Sequence, residues 1–356
     1  MLFYNPSLAS SLISPNAEET EFAARNIYRS PNERREAGLG TEVTKWLKAS
    51  LLLESETSQL NTRFNEPLSN KETTENSHSI QLGLGLTLSD TVNSELVFEY
   101  EADHGTDQQH SKLDEGIIKY DGNYWDLELG RLFVPFGEYF SHFISGPMLE
   151  FGETSGKGMV INMEASDFLD VFIFGLKGDM NKTNTRGDEI DWGIGMEFNS
   201  SDESIKLGLG LMSDLADADE SLLEDTDNSY EQRIPAFSLF ALYGKRHFEV
   251  TTELIRAMRE FPELEDATNK PWAANLELAW FPQPAYQFAL RYEASNELED
   301  QPEHQVGLSA TWLIGSHINL AAEYLYGEFK NGFVSDDNDH ELDSNNQISA
   351  RIGVEF

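Results

Sequence analysis

Cysteine is absent from the 356-residue sequence, so no disulfide bond contributes to the fold. This absence is compatible with a chain that crosses an oxidising compartment, although many soluble proteins also lack cysteine. Long hydrophobic runs are missing too: there is no stretch of about 18 consecutive apolar residues, which excludes a transmembrane helix. A membrane-spanning β-barrel is not excluded, because half of its strand side chains face water and its mean hydropathy stays low.

Basic residues are scarce in this chain. It has 25 Lys and Arg against 63 Asp and Glu, a formal net charge of −38. Such a chain repels a nucleic acid backbone, so nucleic acid is excluded as a partner. Ser141 and His142 are adjacent in sequence and do not by themselves form a nucleophile–base pair with an orienting partner. We therefore expect a protein that is not an enzyme and has no cofactor.

Helical periodicity is nearly absent, whereas apolar and polar residues alternate with a period of two along most of the chain. The clearest alternating segments are residues 80–88, 190–198, 205–211, 272–280, 286–292 and 348–356. Together with weaker segments they predict about 16 strands, an even number in the range of bacterial membrane barrels. The predicted strands begin near residues 43, 78, 91, 112, 123, 158, 168, 189, 204, 235, 246, 272, 285, 304, 317 and 346.

The links between these strands alternate between short and long. Short links are expected at residues 89–90, 121–122, 166–167, 244–245, 282–284 and 315–316. Long polar links are expected near residues 55–77, 102–111, 131–157, 179–188, 212–233, 259–271, 295–303 and 328–345. Short periplasmic turns and long extracellular loops are typical of outer-membrane barrels. The sequence therefore predicts an all-β, multi-pass, antiparallel transmembrane barrel in a bacterial outer membrane, spanning residues 41–356. Residues 1–40 carry no secretory signal pattern and are expected to form an irregular arm, so we expect a longer precursor.

Aromatic residues lie near the predicted strand ends. Trp272 and Trp280 are eight residues apart on one face, about 20 Å along the barrel axis at ~3.3 Å per residue and a tilt of about 40°. This spacing predicts aromatic girdles, which also include Tyr124, Trp125, Trp192, Phe198, Tyr286, Tyr292, Trp312, Tyr324 and Phe356. The last strand ends on Phe356 and resembles the terminal strand that the barrel assembly machinery reads. We expect that machinery, outer-membrane lipid and lipopolysaccharide as partners, and leave open whether the barrel forms a homotrimer.

Acidic residues occupy the strand faces opposite the apolar ones, and a barrel of this size encloses water. The predicted lumen wall includes Glu99, Glu128, Glu197, Glu253, Glu277, Arg291, Glu293 and Arg351. Such a wall favours cations and disfavours anions, so an anion or phosphate channel is not expected. Alternatively, the glutamates only keep the interior wet. Glycines on the same faces, such as Gly193 and Gly208, are expected to leave room in the lumen.

The third long link, residues 131–157, is rich in aromatic residues, which is unusual for an exposed loop. We therefore expect it to fold into the lumen and narrow it. The predicted constriction or substrate residues are Arg131, Glu138, Tyr139, His142, Glu150 and Glu153. Their carboxylates and phenol are hard ligands that suit ferric or other hard cations, although a specific metal site is not defined. Alternatively, Glu150 and Glu153 pair with Lys157 or Arg131 and fix the fold of the loop.

Two segments of this link, Gly130–Gly137 and Ile144–Thr154, resemble the LbtU-type siderophore porins, which are Gram-negative outer-membrane barrels. The resemblance implies uptake of a small-molecule solute, a ferric siderophore or similar iron chelate, without a plug domain. Gly146 stands where an Asp is expected in that family, and residues 1–40 lack the heptads of an N-terminal coiled coil that many members carry.

Two other functions are compatible with the sequence. One is a general, cation-preferring diffusion porin, and the other is a structural or adhesive barrel with a sealed lumen. The acidic segments 214–219 and 335–343 also suggest extracellular loops that bind the divalent ions bridging lipopolysaccharide. Calcium binding by these loops is the less favoured alternative, since residue 341, a glutamate, stands where a calcium-binding hand needs glycine.

Overall fold

The computed structural model describes residues 41–65, 70–104, 109–177, 181–182, 190–202, 204–216, 229–230, 232–262, 264, 269–296, 298, 301–315, 317–330 and 341–356. The predicted arm, residues 1–40, lies outside these ranges, as do most of the two acidic segments. No helix within the described ranges is long and apolar enough to cross a membrane.

Sixteen strands form one closed antiparallel barrel. They are β2 (Leu47–Phe64), β3 (Lys71–Ser89), β4 (Val92–His104), β5 (Gln109–Asp121), β6 (Trp125–Phe133), β7 (Ser155–Ser166), β8 (Leu169–Lys177), β10 (Asp191–Asn199), β11 (Ile205–Met212), β13 (Ala236–Lys245), β14 (Phe248–Ala257), β15 (Trp272–Gln283), β16 (Tyr286–Ser295), β17 (His304–Ile314), β18 (Ile318–Glu328) and β19 (Leu342–Glu355). The short strand β1 (Thr41–Thr44) pairs with β2, and β9 (Asn181–Lys182) pairs in parallel with β12 (Ser229–Tyr230).

Each barrel strand pairs with the strands before and after it, and β19 pairs with β2 to close the ring. At the closure Ile352 lies opposite Ser55, and the backbones of Leu51 and Phe356 exchange two hydrogen bonds of 3.0 and 2.9 Å. Closure removes the free sheet edges, so the backbone polar groups are satisfied inside the barrel wall, as a lipid environment requires. The predicted fold class and strand number are confirmed.

The period-two alternation separates a lipid-facing surface from the interior. On β15, Leu276, Leu278 and Trp280 are 49%, 42% and 46% exposed, whereas Glu277 and Ala279 between them are fully buried. An apolar outer face on a closed barrel is the signature of a transmembrane β-barrel. The protein is therefore a multi-pass protein of the outer membrane.

The predicted aromatic girdle residues lie on this outer surface. Every one of them has an exposed side chain except Trp272, which is half-buried. Some pack against other rings beside the short turns: Trp280 lies 5.8 Å from the ring of Phe288, and the rings of Tyr286 and Trp312 are stacked at 6.1 Å. Large amphipathic rings at this position suit the boundary between lipid and water.

The first hairpin departs from the predicted links. Residues 55–77 were expected to form a long loop, but β2 continues to Phe64 and β3 begins at Lys71. Polar side chains bridge the two strands on the outer face, where the Thr57 hydroxyl donates to the Asn76 side chain over 2.8 Å. Both faces of the hairpin are polar here, so hydrophobic periodicity gives no strand signal although the backbone ladder continues.

The interpretation of the lumen glycines is also corrected. A Cβ atom added at Gly193, Gly195 or Gly208 would overlap a phenylalanine ring on a neighbouring strand: Phe174, Phe172 or Phe240, respectively. The space above these glycines is therefore filled by inward-facing aromatic rings rather than left open. Gly-x-Gly alternation in this wall marks close packing between neighbouring strands.

Candidate functional site

The segment between β6 and β7, Val134–Thr154, folds into the lumen as predicted, and we call it the inward loop. Its apolar side chains form a core inside the barrel, with Phe136, Leu149 and Phe151 almost completely buried. They pack against inward-facing residues of the wall such as Phe174 and Ile255. The aromatic residues of this segment are buried here because the hydrophobic effect favours removing them from the lumen water.

A carboxylate on β14 holds the first turn of the inward loop. Glu253 accepts hydrogen bonds from the backbone N–H groups of Glu138 and Tyr139, at 2.8 and 3.0 Å. Tyr139 has a φ of +50°, and successive N–H groups in such a turn form a concave site that favours an anion. A side chain at Gly137 would place its Cβ 2.6 Å from a Glu253 carboxylate oxygen, so it would displace the carboxylate that holds this turn.

A second carboxylate, Glu277 on β15, holds the middle of the loop. It accepts hydrogen bonds from the Ser141 hydroxyl at 2.7 Å, the His142 backbone N–H at 2.8 Å and His142 Nδ1 at 2.9 Å. The other ring nitrogen, Nε2, lies 3.1 Å from a carboxylate oxygen of Glu249. With a carboxylate at each nitrogen, His142 is held as an imidazolium cation.

The pKa of His142 reflects this arrangement. Burial alone would lower the pKa, but the hydrogen bonds and charges of Glu249 and Glu277 outweigh burial and raise it to about 9.

We expect this histidine to make stability depend on pH. Because its pKa is raised above the ordinary value of about 6.5, its stabilising contribution is complete below pH 6.5 and disappears as the pH rises through about 9. The difference corresponds to about 3 kcal/mol of unfolding free energy at most. Urea unfolding of the barrel in detergent at pH 6, 7.5 and 9.5 measures this loss. The His142→Gln variant should show a much flatter profile over the same range, and equal slopes for both proteins would contradict the prediction.

Two more carboxylates and one arginine hold the last part of the loop. Glu323 accepts from the backbone N–H groups of Ile144 and Ser145 at 2.7 and 3.1 Å, and also from the Ser145 hydroxyl. Glu293 accepts from the Met148 N–H at 2.7 Å. Arg291 donates to the Ser145 and Gly146 carbonyls at 3.0 and 3.2 Å. Loop donors and acceptors thus find partners on the wall instead of in water.

These contacts correct part of the lumen prediction. Glu253, Glu277, Arg291 and Glu293 lie on the inner face of the wall, as expected, but all four are buried under the inward loop. Their expected exposure to lumen water is wrong. A loop without regular secondary structure leaves backbone N–H and C=O groups unpaired, and burying such groups requires partners, which these side chains supply.

The rest of the predicted lumen wall carries mixed charge clusters that are partly exposed. Each of three lysines contacts two carboxylates. Lys112 lies 3.1 Å from Glu99 and 3.5 Å from Asp114, and Lys119 lies 2.8 Å from Glu128 and 3.4 Å from Asp126. Lys206 lies 2.7 Å from Glu138 and 3.5 Å from Glu197. Arg351 lies 3.5 Å from Glu54. We call these groups the paired wall. Carboxylates exceed cations in the lysine clusters, so each carries a net negative charge.

The predicted constriction residues of the inward loop differ in their exposure to the lumen. Glu138 forms an ion pair with Lys206, His142 is buried, and the buried Tyr139 donates its hydroxyl hydrogen to the Gly152 carbonyl over 2.7 Å. Glu150 is exposed and Glu153 half-buried. The alternative in which these two glutamates pair with Lys157 or Arg131 is wrong, because neither cation forms an ion pair in the described part of the chain.

Glu150 reaches the lumen and has a raised pKa. It lies in a single 3₁₀ turn, Met148–Gly152. The surrounding protein reduces solvation of the carboxylate and raises its pKa, Glu153 raises it further, and Arg291 partly offsets both, leaving the pKa at about 7. The carboxylate also lies against Gly146, where any side chain would collide with it. An aspartate at position 146 would therefore displace Glu150.

Arg131 does not belong to the constriction. It follows the outward-facing Leu129 by two residues on β6, whereas the adjacent Leu132 is buried inside the barrel. Because strand side chains alternate, Arg131 lies on the outer face. The prediction failed because the link was expected to begin at residue 131, but the strand continues to Phe133.

The sequence analysis did not select two of the residues that hold the inward loop: Gln287 and Ser309 both donate to the His142 carbonyl, at 3.0 and 2.9 Å. Glu249 and Glu323 were expected on the inner face with the other acidic residues, but not as partners of the loop. Their only signal in the sequence is an inward position opposite apolar residues. In the part of the chain that the structure describes, no group of three His, Asp or Glu side chains is arranged to hold a metal ion.

Comparison with known proteins supports the fold. No family model matches the chain. It is 22% identical over 182 residues to a UPF0422 protein of Coxiella burnetii, a match that covers 48% of this chain and 39% of that relative's length. The chain therefore spans less than half the length of this curated relative.

Solved structures that it resembles are bacterial outer-membrane channels. An anion-selective porin from Comamonas acidovorans matches 87% of this chain and 100% of its own with a TM-score of 0.63 and 11% identity. The DcaP channel of Acinetobacter baumannii matches 90% and 100%, with a TM-score of 0.62 and 11% identity. Salmonella typhi OmpF matches 87% and 98%, with a TM-score of 0.58 and 14% identity. At these identities the likeness establishes the barrel fold that this chain shares with porins.

Proposed function

We propose that this protein is a solute channel of the outer membrane, with a passage between the inward loop and the paired wall. The observation that carries the proposal is the anchoring of the loop inside the barrel by buried carboxylates, chiefly Glu253, Glu277 and Glu323. A loop held at this many points is a fixed constriction, and a fixed constriction can select solutes by size and charge.

The charge of the passage favours cations. Lys112, Lys119 and Lys206 are each outnumbered by neighbouring carboxylates. Glu150 adds a further negative charge when it is ionised. This balance is opposite to what an anion-selective pore requires, so the anion selectivity of the Comamonas porin is not transferred to this chain.

The finer proposal is that the solute is an iron chelate. It rests on the resemblance of Gly130–Gly137 and Ile144–Thr154 to siderophore porins. It is also supported by the exposed carboxylate of Glu150, which is a hard oxygen donor. Because another loop carboxylate, Glu138, is bound to Lys206, we assign the solute contact to Glu150.

Single-channel conductance in a planar bilayer tests both levels of the proposal. We expect discrete, cation-selective steps, which a ferric siderophore blocks at low concentration while the iron-free chelator does not. Steps that are indifferent to every chelate would overturn the iron proposal and leave a general diffusion porin. The absence of any steps from correctly folded protein would overturn the channel itself and favour the structural or adhesive barrel.

A further inference from the structure

The inner face of β14, β15 and β16 is covered along its whole height. Every inward side chain is buried, from Glu249, Phe281 and Gln287 at the short-turn end to Ala257, Ala273 and Ser295 at the long-loop end. The cover leaves no room for a solute to move along these three strands.

Three layers make up this cover. The inward loop forms the middle layer. Towards the short turns, Phe143 packs with Phe281 and Leu325 in a second apolar cluster. Towards the long loops, the two ends of the link between β11 and β13 join the core of the inward loop: Leu215 and Ile234 are completely buried there, and the Leu215 N–H donates to the Ile234 carbonyl over 2.8 Å. The closed side is therefore a packed part of the fold.

The opposite side of the lumen remains accessible on β2 to β5. Glu54 on β2, Gln81 on β3, and Glu95 and Glu99 on β4 are half-buried. On β5, 54% of the Lys112 side chain is exposed. A solute that crosses the proposed channel therefore passes along these strands.

Two mixed-charge clusters line this path, each centred on a lysine of β5. We call Lys112 with Glu99 and Asp114 the upper station, nearer the long loops, and Lys119 with Glu128 and Asp126 the lower station. The lysines are seven residues apart, about 20 Å along the strand, and an odd spacing in a regular strand would place them on opposite faces. A register shift between β4 and β5 reverses the alternation, so both lysines face the path.

Each station presents both signs of charge to a passing solute. Lys112 Nζ lies 3.1 Å from the nearer of its two carboxylates, and Lys119 Nζ lies 2.8 Å from the nearer of its own. An ammonium group has three N–H donors and a carboxylate has several lone pairs, so each member of such a pair can bind a second ion of opposite sign. A solute with an ammonium and a carboxylate a few ångströms apart can bind both members at once.

We propose that the channel favours small zwitterions of the α-amino acid class, and that Lys112 and Lys119 are the residues that distinguish them from simple cations. The inference rests on the proposed channel and is independent of the iron chelate. A simple cation is attracted by the carboxylates of a station but repelled by its lysine. A simple anion meets two carboxylates for each lysine. Only a zwitterion pairs with both signs of charge.

Four solutes of equal size test the proposal: alanine is a zwitterion, alaninamide a cation, lactate an anion and lactamide neutral. Their initial rates of uptake are measured in proteoliposomes at pH 6.5 and zero membrane potential. We expect alanine to enter about three times as fast as lactamide, which is the gain from one exposed ion pair. Alaninamide should fall between these two, and lactate should be the slowest.

The Lys112→Met/Lys119→Met variant separates a mixed-charge path from a merely acidic one. Without the lysines, alaninamide should become faster than alanine, and the advantage of alanine over lactamide should disappear. Arg256→Gln is the matched control, because it removes a cation from the outer face of β14 and should leave all four rates unchanged. Should the double variant not refold, Lys112→Met alone must reduce the advantage of alanine by about half.

The outcomes distinguish this proposal from the channel itself. If alanine entered the wild type no faster than lactamide, or kept its advantage in the double variant, the preference for zwitterions would be overturned while the channel remained. If none of the four solutes entered faster than into liposomes without protein, the channel would be overturned as well.

Discussion

Replacing Glu277 with alanine is expected to release the middle of the inward loop and to increase the single-channel conductance severalfold. Glu277 is completely buried and accepts three hydrogen bonds from Ser141 and His142. Its removal leaves His142 as a buried cation with one carboxylate partner instead of two, and leaves Arg291, 3.7 Å from Glu277, with less compensating charge. Breaking a buried ion pair from one side costs about 3–5 kcal/mol.

This cost is expected to open the constriction without dissolving the barrel. The strands retain their backbone pairing, whereas the inward loop loses contacts that hold it locally. The variant should therefore keep its folded barrel in detergent, while its conductance rises and its cation preference falls.

Glu99→Ala is the matched control for Glu277→Ala. Glu99 also faces the lumen, but its carboxylate contacts Lys112 rather than the inward loop. We expect the single-channel conductance of Glu99→Ala to stay within a factor of about two of the wild-type value, because only the local charge of the lumen changes. A wild-type single-channel conductance for Glu277→Ala would show that the buried carboxylates do not hold the inward loop in place. Glu277→Gln, which keeps the side-chain volume, should fall between alanine and wild type.

The cation preference of the wild-type channel is expected to rise as the pH rises from 6 to 8. The pKa of Glu150 is about 7, so this carboxyl is mostly neutral at pH 6 and mostly ionised at pH 8. The change adds one negative charge to the part of the inward loop that reaches the lumen, beside the proposed passage. Reversal potentials in a salt gradient, measured at half-unit steps of pH, should follow a titration with its midpoint near 7.

The Glu150→Gln variant should lose this pH dependence and keep the low-pH preference throughout. Glu138→Gln provides the contrast: it removes one of the carboxylates beside Lys206 and should lower the cation preference without flattening the titration. The Glu138→Gln/Glu150→Gln variant should have both a lower cation preference and no pH dependence. A wild-type reversal potential that does not change between pH 6 and 8 would remove Glu150 from the passage.

The sequence predicts the strands where one face is apolar and fails where neither face is. The alternation of apolar and polar residues from Trp272 to Trp280 was sufficient to predict strand β15. The end of the β2–β3 hairpin farthest from the short turns was predicted as a loop. Polar residues, such as Thr57 and Asn76, occupy the outer face there, which is apolar in the other strands. Hydrophobic periodicity reports contact with lipid, and this hairpin extends beyond the apolar band while its backbone pairing continues.

The candidate site was predicted only in outline. The aromatic content of residues 131–157 indicated an inward loop, because an aromatic segment in a polar environment needs a surface to pack against. The assignment of Glu253, Glu277 and Glu293 to a water-filled lumen was wrong, since a buried and a solvated glutamate occupy equivalent positions in an alternating strand. Their partners, such as the N–H groups of Tyr139 and Met148, are more than a hundred residues away in sequence.

The transmembrane barrel, its strand number and the inward loop could be predicted from the sequence, because alternation, link length and aromatic content are local properties of the chain. Which inner faces the loop covers depends on the three-dimensional arrangement of the strands and could not be predicted. Closure of the ring sets the register between strands, and the register brings Glu253, Glu277 and Glu323 under one loop. A carboxylate becomes an anchor when the backbone that meets it must be desolvated.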